Sequence, residues 1–152
     1  MEELPSIPGY RVLSRRDRDD ESGRAGIISL VRDGMTNVVF LKHSEASERS
    51  WHALHTDIGI FLLSNWYRPP GASNSTITTF SEELAELSSD AVGCIIMGDM
   101  NVHHARWLIH SNGISSEGRL LKELCENHGL IQIVREPTRN QYLLDLYLTD
   151  IA

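Results

Sequence analysis

The stretch IIMGDMNVHHARW (residues 95–107) decides the fold, because it runs an apolar segment into a glycine and then sets Asp99 and Asn101 two residues apart, ahead of His103 and His104. Three readings compete: the catalytic end of a buried strand, a metal site built on the two histidines, or a turn between packed elements. In the first, the glycine lets the chain turn at the strand end, and Asp99 and Asn101 point to the same side if the backbone stays extended. A carboxylate and an amide then converge on one spot. That pair suits phosphodiester hydrolysis, the carboxylate orienting a water or helping to hold a divalent cation and the amide donating to a nonbridging oxygen. Taken alone, the tetrapeptide GDMN equally describes an Asx turn. A zinc site could draw on His103, His104, His110, Cys125 and His128, but adjacent histidines diverge in helix and strand alike, and Cys125 is needed for the apolar face of a helix. His103 and His104 are therefore expected in a loop beside Asn101, one packed under Trp107 and the other open to solvent.

Outward from this stretch, strands and helices alternate. VGCIIMG reads as a central strand, and IGIFLLSNWY (residues 58–67) as a second, with no polar residue before Ser64, as in a sheet covered on both faces. Pro69, Pro70 and Gly71 end it. TFSEELAELSSD places Phe80, Leu84 and Leu87 on one helical face, with Thr79 and Glu82 spaced as a capping box. SEGRLLKELCENHG sets Leu120, Leu121, Leu124 and Cys125 on another, with Ser116 as N-cap and Gly129 where a left-handed residue is wanted. In YLLDLYLTD, Leu144, Leu146 and Leu148 alternate with Asp145, Tyr147 and Thr149. Asp145 interrupts an apolar run, where an unpaired buried carboxylate is expensive. The first 24 residues read as loop or extended chain. Residues 27–31 and 38–41, separated by Asp33-Gly34, read as a hairpin, and SWHAL as a weaker strand. The class is α/β or α+β, with layered sheets and helices outside.

The chain has 152 residues, 41% hydrophobic and 23% charged, with a net charge of −7. This fits one domain, and no apolar run approaches the roughly 20 residues that cross a bilayer. The acidic balance argues against a nonspecific nucleic-acid coat, which gains affinity by neutralising phosphates with Lys and Arg. The basic residues of RVLSRRDRDDESGR are largely cancelled by their acidic neighbours, as in a solvated loop. MEELPSIPGY lacks a signal peptide's basic flank and apolar core, which predicts an intracellular protein with Cys94 and Cys125 as buried free thiols.

Taken in order, GYRVLSRRDRDDESGRAGIISLVRDG, LSNWYRPPG, GDMNVHHARW and GRLLKELCENHGLIQIVREPTRNQYLLDLYLTD resemble the endonuclease/exonuclease/phosphatase superfamily, with the deoxyribonuclease-I-like fold, and most closely the endonuclease domains of LINE-type (non-long-terminal-repeat) retrotransposons. The resemblance covers residues 7–150. It implies a four-layer α/β sandwich of two packed sheets with helices outside, and a phosphodiesterase using Mg²⁺ or Mn²⁺ on nucleic acid, in the first place DNA. By the same resemblance Tyr67 contacts the scissile phosphate, with Arg68 beside it. Asp99 orients the attacking water or assists at the metal, Asn101 steadies the transition state, and His103 and His104 lie along the substrate. Thr138 and Arg139 stand at the rim, and Asp145 is the acid that orients a catalytic histidine.

Two parts of the family pattern are not matched. A strand with an Asn and a metal-binding Glu in an "ET" motif are expected before the position of IPGY, where only Glu2 and Glu3 stand. A terminal "SDH" is expected where the sequence reads LTDIA, and Asp150 does not match it. The expectation is a partial, monomeric domain, with Asp99 left in an incomplete metal site that binds weakly. Two functions follow: a nicking endonuclease impaired in isolation, or a catalytically dead remnant that binds nucleic acid or protein.

Overall fold

A computed structural model describes residues 6–18 and 26–151. Glu2 and Glu3 lie outside them. The first two strands, β1 (Tyr10–Asp17) and β2 (Gly26–Arg32), form an antiparallel pair. The remaining strands are β3 (Val38–His43), β4 (Glu48–Thr56), β5 (Gly59–Tyr67), β6 (Ala91–Asp99), β7 (Ile131–Gln132) and β8 (Asp145–Thr149). They build a six-stranded sheet in the order β3-β4-β5-β6-β8-β7. Only β5 and β6 run parallel, joined through α1 (Ser75–Leu87), while α2 (Ser116–Asn127) follows β6. Parallel neighbours need such a crossover, and the Pro69–Gly71 break starts it. No helix among the described residues is long and apolar enough to cross a membrane.

Alternation along each strand sorts the side chains into two layers. Trp51, Leu62, Trp66, Cys94, Ile96, Leu146 and Leu148 form one face of the large sheet and pack with Ile77, Phe80 and Leu84 of α1 and Leu121 and Cys125 of α2. The other face meets the β1–β2 pair: the Ser14 hydroxyl lies 2.7 Å from His52 Nε2, and Asn65 Nδ2 donates to the Ile28 carbonyl at 3.2 Å. The result is an α/β sandwich of two packed sheets with helices outside. The β1–β2 pair covers only the β4–β5 side, so Met97, Ile131 and Ile133 remain 46%, 54% and 45% exposed.

The helical core contains a charge. Arg49 is fully buried, donates from Nε to Glu83 Oε2 at 2.7 Å, and lies 4.5 Å from the centre of the Trp66 ring. Trp51 Nε1 donates to the same oxygen at 2.8 Å. Burial raises the Glu83 pKa, but Arg49 and the other donors outweigh it and hold the carboxyl below its usual range.

Four sequence expectations change. The hairpin of 27–31 with 38–41 does not form, because β2 pairs with β1 and β3 with β4. The Asp33-Gly34 turn is present, with Gly34 at φ +87°, but it carries the chain from one sheet to the other. The charged N-terminal segment is not all loop: β1 occupies it, and the Arg16 guanidinium holds the carbonyls of Ser44 and Ser47. No capping box forms at Thr79, because α1 starts a turn earlier and the Thr79 hydroxyl donates to the Ser75 carbonyl inside the helix. The N-cap of α2 is Ser115, whose Oγ accepts the Gly118 N–H, one residue before the position expected. Gly129 has the left-handed φ of +69° foreseen for it.

Candidate active site

The parallel register sets Asn65 opposite Met97, and the ladder closes with the Arg68 N–H donating to the Asp99 carbonyl at 2.8 Å. Alternation then puts Tyr67 and Asp99 on the same face at the ends of adjacent strands. Glu48 pairs directly with Tyr67 across β4–β5, and Asp99 pairs directly with Asp145 across β6–β8. Four neighbouring strands thus deliver Glu48, Tyr67, Asp99 and Asp145 in one row across the sheet, about 14 Å long at the usual strand spacing. Gly98 makes this approach feasible, because a Cβ there would sit 1.7 Å from the Trp66 carbonyl oxygen.

Asp99 is 9% exposed. Its Oδ2 accepts from Arg139 Nη2 at 2.8 Å, and its Oδ1 is buried without a hydrogen-bond partner among the described residues. Burial raises its pKa; the Arg139 charge opposes the rise and the Asp145 charge adds to it, leaving the group above the usual carboxylate range. Asn101 does not continue the strand as expected. Its φ is +47°, a left-handed turn that Asn tolerates, and Nδ2 donates to the Arg68 carbonyl at 2.8 Å. Its amide groups lie near enough to the Asp99 carboxylate to favour the charged form.

Thr138 and Arg139 stand on the exposed rim, where the Thr138 hydroxyl accepts the N–H groups of Leu144 and Asp145 at 3.1 and 3.0 Å. Asp145 is half-buried, not the fully buried acid that its place in an apolar run suggested. Arg68 lies beneath the site, not in it. It is 1% exposed, and its guanidinium is committed to the Thr76 hydroxyl and the carbonyls of Ala72, Met100 and Asn101. The histidines belong to the following loop. His104 is buried edge-on to Trp107 and accepts the Trp107 N–H at Nδ1, while His103 accepts the Asn112 N–H and packs edge-on to Tyr142. His103 is therefore half-buried, where an open histidine was expected.

Sequence reasoning missed two members of this neighbourhood. Arg18 donates from Nε to Glu48 Oε1 at 2.7 Å, and its guanidinium lies 5.2 Å from the Tyr67 ring centre. Neither carries a motif. Arg18 was hidden in the mixed-charge run, and Glu48 became informative only once β4 was registered against β5.

The family described as Endonuclease-reverse transcriptase matches residues 61–151. Among solved structures, the chain is similar to the endonuclease domain of TRAS1, a telomere-specific non-LTR retrotransposon, at 16% identity and a TM-score of 0.68 over 93% of this chain and 65% of that one. It is similar to the mannosyl-6-phosphatase Bt3783 of Bacteroides thetaiotaomicron VPI-5482 at 14% identity and a TM-score of 0.57, covering 94% and 63% of the two chains. A third likeness, to an endonuclease/exonuclease/phosphatase family protein of Bacteroides thetaiotaomicron, has 14% identity and a TM-score of 0.53, covering 94% and 60%. The chain thus spans just under two thirds of the length of these structures, and at such identities the likeness is one of fold. No curated protein matches it.

Proposed function

Because the chain belongs to the endonuclease-reverse transcriptase family, we propose that the row of Tyr67, Asp99 and Asp145 hydrolyses phosphodiesters of nucleic acid, DNA in the first place, as a nicking endonuclease domain of a retroelement-type protein. The observation that carries this reading is Asp99: a strand-end carboxylate with one oxygen fixed by Arg139 and the other buried without a partner. A base needs an unengaged oxygen and a pKa moved toward the working pH, and Asp99 has both.

The residues fit a divalent cation in part. Asp99 Oδ1 lacks a hydrogen-bond partner among the described residues and Asp145 is the cross-strand neighbour of Asp99, so a cation held by the two would relieve the repulsion between their carboxylates. No group of three His, Cys, Asp or Glu suited to a metal occurs among the described residues. Hard cations take six or more oxygens, so two carboxylates give weak binding. When bound, Mg²⁺ or Mn²⁺ supplies positive charge against the developing phosphorane and acidifies water. The rest falls to the chain. Asp99 orients a water and accepts its proton at Oδ1. The Tyr67 phenol donates to a nonbridging phosphate oxygen, and Asn101, held by the Arg68 carbonyl, flanks the carboxylate that Arg139 keeps aimed. Arg139, exposed on the rim, meets an adjacent phosphate.

The test is nicking of supercoiled plasmid in Mg²⁺ and in EDTA. The parent should nick only with the cation, and Asp99→Asn should cut the rate by about 10² to 10⁴, the range typical of a lost general base. The low carboxylate count favours one second reading, a module that binds without cutting. It would show as retention of duplex with no nicks at any Mg²⁺ concentration.

A further inference from the structure

Arg139 reaches the Asp99 carboxylate from a turn that holds itself together. The Arg139 N–H donates to the Tyr142 carbonyl at 3.0 Å, the Tyr142 N–H donates back to the Arg139 carbonyl at 2.9 Å, and Asn140 between them takes a left-handed φ of +53°. The Tyr142 ring packs edge-on to His103, with 5.3 Å between the ring centres. Backbone and ring contacts thus fix the turn, and the Arg139 side chain is left to serve the site. Its Nη2 donates to Asp99 Oδ2 at 2.8 Å, and 56% of the Arg139 side chain stays in solvent against 10% for Asp99. A planar fork held through one nitrogen can meet a second anion with the others.

Charge decides what this position does. Asp99 and Asp145 are opposite each other across β6 and β8, and Arg139 is the cation that pairs with Asp99 in the free chain. Asp99 Oδ1 has no hydrogen-bond partner among the described residues, so it is the oxygen open to a divalent cation. Any such cation comes close to a guanidinium already bonded to the other oxygen of the same carboxylate, and like charges at that range oppose each other. A phosphate on the exposed side of Arg139 neutralises the guanidinium and removes the opposition.

Accepting the phosphodiesterase reading above, we propose that Arg139 makes the binding of cation and nucleic acid mutually dependent: in the free chain it holds divalent cations off Asp99, and a backbone phosphate that pairs with it lifts this restraint. Metal and substrate are then taken up together, and by linkage each tightens the other by the same factor. An arginine that only steadied the carboxylate would act with the other sign, because its loss would loosen the group that holds the cation.

The experiment measures Mn²⁺ binding to the full chain from the paramagnetic signal of the free ion, with urea unfolding of each variant alongside. Arg139→Gln should bind Mn²⁺ several-fold more tightly than the parent, and the gain should vanish when Asp99→Asn is added; Arg139→Met carries the test if Arg139→Gln does not fold. Arg139→Lys keeps the charge and should bind as the parent does. So should Arg32→Gln, which makes the same change of net charge on an exposed residue at the other end of the β1–β2 pair from Asp17. Fluorescence anisotropy with a labelled DNA duplex, in EDTA and in Mn²⁺, then gives the coupling: Mn²⁺ should tighten duplex binding by the parent, and by a several-fold smaller factor for Arg139→Gln. Unchanged or weaker Mn²⁺ binding by Arg139→Gln, the same gain in Arg139→Lys or Arg32→Gln, or an undiminished coupling factor overturns the proposal and leaves the endonuclease reading standing. If neither parent nor Arg139→Gln binds Mn²⁺ through Asp99, or the parent binds no duplex, the corresponding part of that reading and this proposal fall together.

Discussion

His52 should make the fold sensitive to mild acid. It lies between the two sheets, 4% exposed, with Nε2 2.7 Å from the Ser14 hydroxyl. Burial, helped by the charge of His43, pulls its pKa down to about 4. In the unfolded chain an imidazole titrates near about 6.5. Below that value the unfolded state takes up a proton that the folded state refuses until about pH 4. The native state is therefore undisturbed at pH 7 and loses ground steadily as the pH falls between those limits. Integrating that difference gives a loss of about 2 kcal/mol between pH 7 and pH 5, and about 3 kcal/mol by pH 4. With a urea dependence of about 1–3 kcal/mol per molar, the first figure moves the unfolding midpoint by roughly 1 M. His52→Gln keeps a partner for Ser14 and cannot titrate, so its midpoint should fall much less between pH 7 and pH 5 than the parent's. Carboxylates that titrate lower down are common to both proteins and cancel in the comparison. Parallel loss of stability in parent and variant would refute the assignment of this acid sensitivity to His52.

Glu83→Ala should destabilise the chain by about 3–5 kcal/mol in urea unfolding, because it leaves Arg49 charged and unpaired in the core and removes the acceptor of Trp51 Nε1. Adding Arg49→Met should recover part of that loss; no recovery would show that the ion pair is not the cause. Burial holds Cys94 at a pKa of about 11 and Cys125 at about 12, so neither presents thiolate at pH 8. Iodoacetamide should modify both in urea and neither in the native protein on the scale of minutes, whereas rapid native labelling of Cys125 would mean that α2 does not pack as described.

Where side-chain pattern and burial agreed, the sequence was sufficient. The apolar runs ending in Tyr67 and Asp99 could be placed as central strands, and the faces of α1 and α2 could be named, because these segments bury the residues that their periodicity sets on one side. Where long-range pairing decides, local signals failed. Asp33-Gly34 announces a reversal but cannot say that β3 joins a different sheet from β2, since both outcomes use the same turn. Arg49 and Glu83 look like solvent-facing charges in their own segments, and only the approach of α1 to β4 makes them partners. The Arg68 of YRPPG was expected at the substrate and instead braces the loop, because four acceptors surround it once α1 and β6 are in place.

The order in which the row can come together follows from its connections. β4 and β5 are joined through Asp57 and Ile58 alone, so Glu48 and Tyr67 are brought opposite each other by zipping a hairpin. Asp99 joins only after the chain has closed the long crossover through α1 onto β5, and Asp145 only after α2 and β7 have followed. Closures of that length cost entropy before their contacts form, and they make such pairings slow. During synthesis on a ribosome, the Glu48–Tyr67 half of the row can pair before its Asp99–Asp145 half exists. A polypeptide interrupted between β5 and β8 carries the Glu48–Tyr67 pairing with no Asp99–Asp145 pair, so the row is completed among the last events of folding.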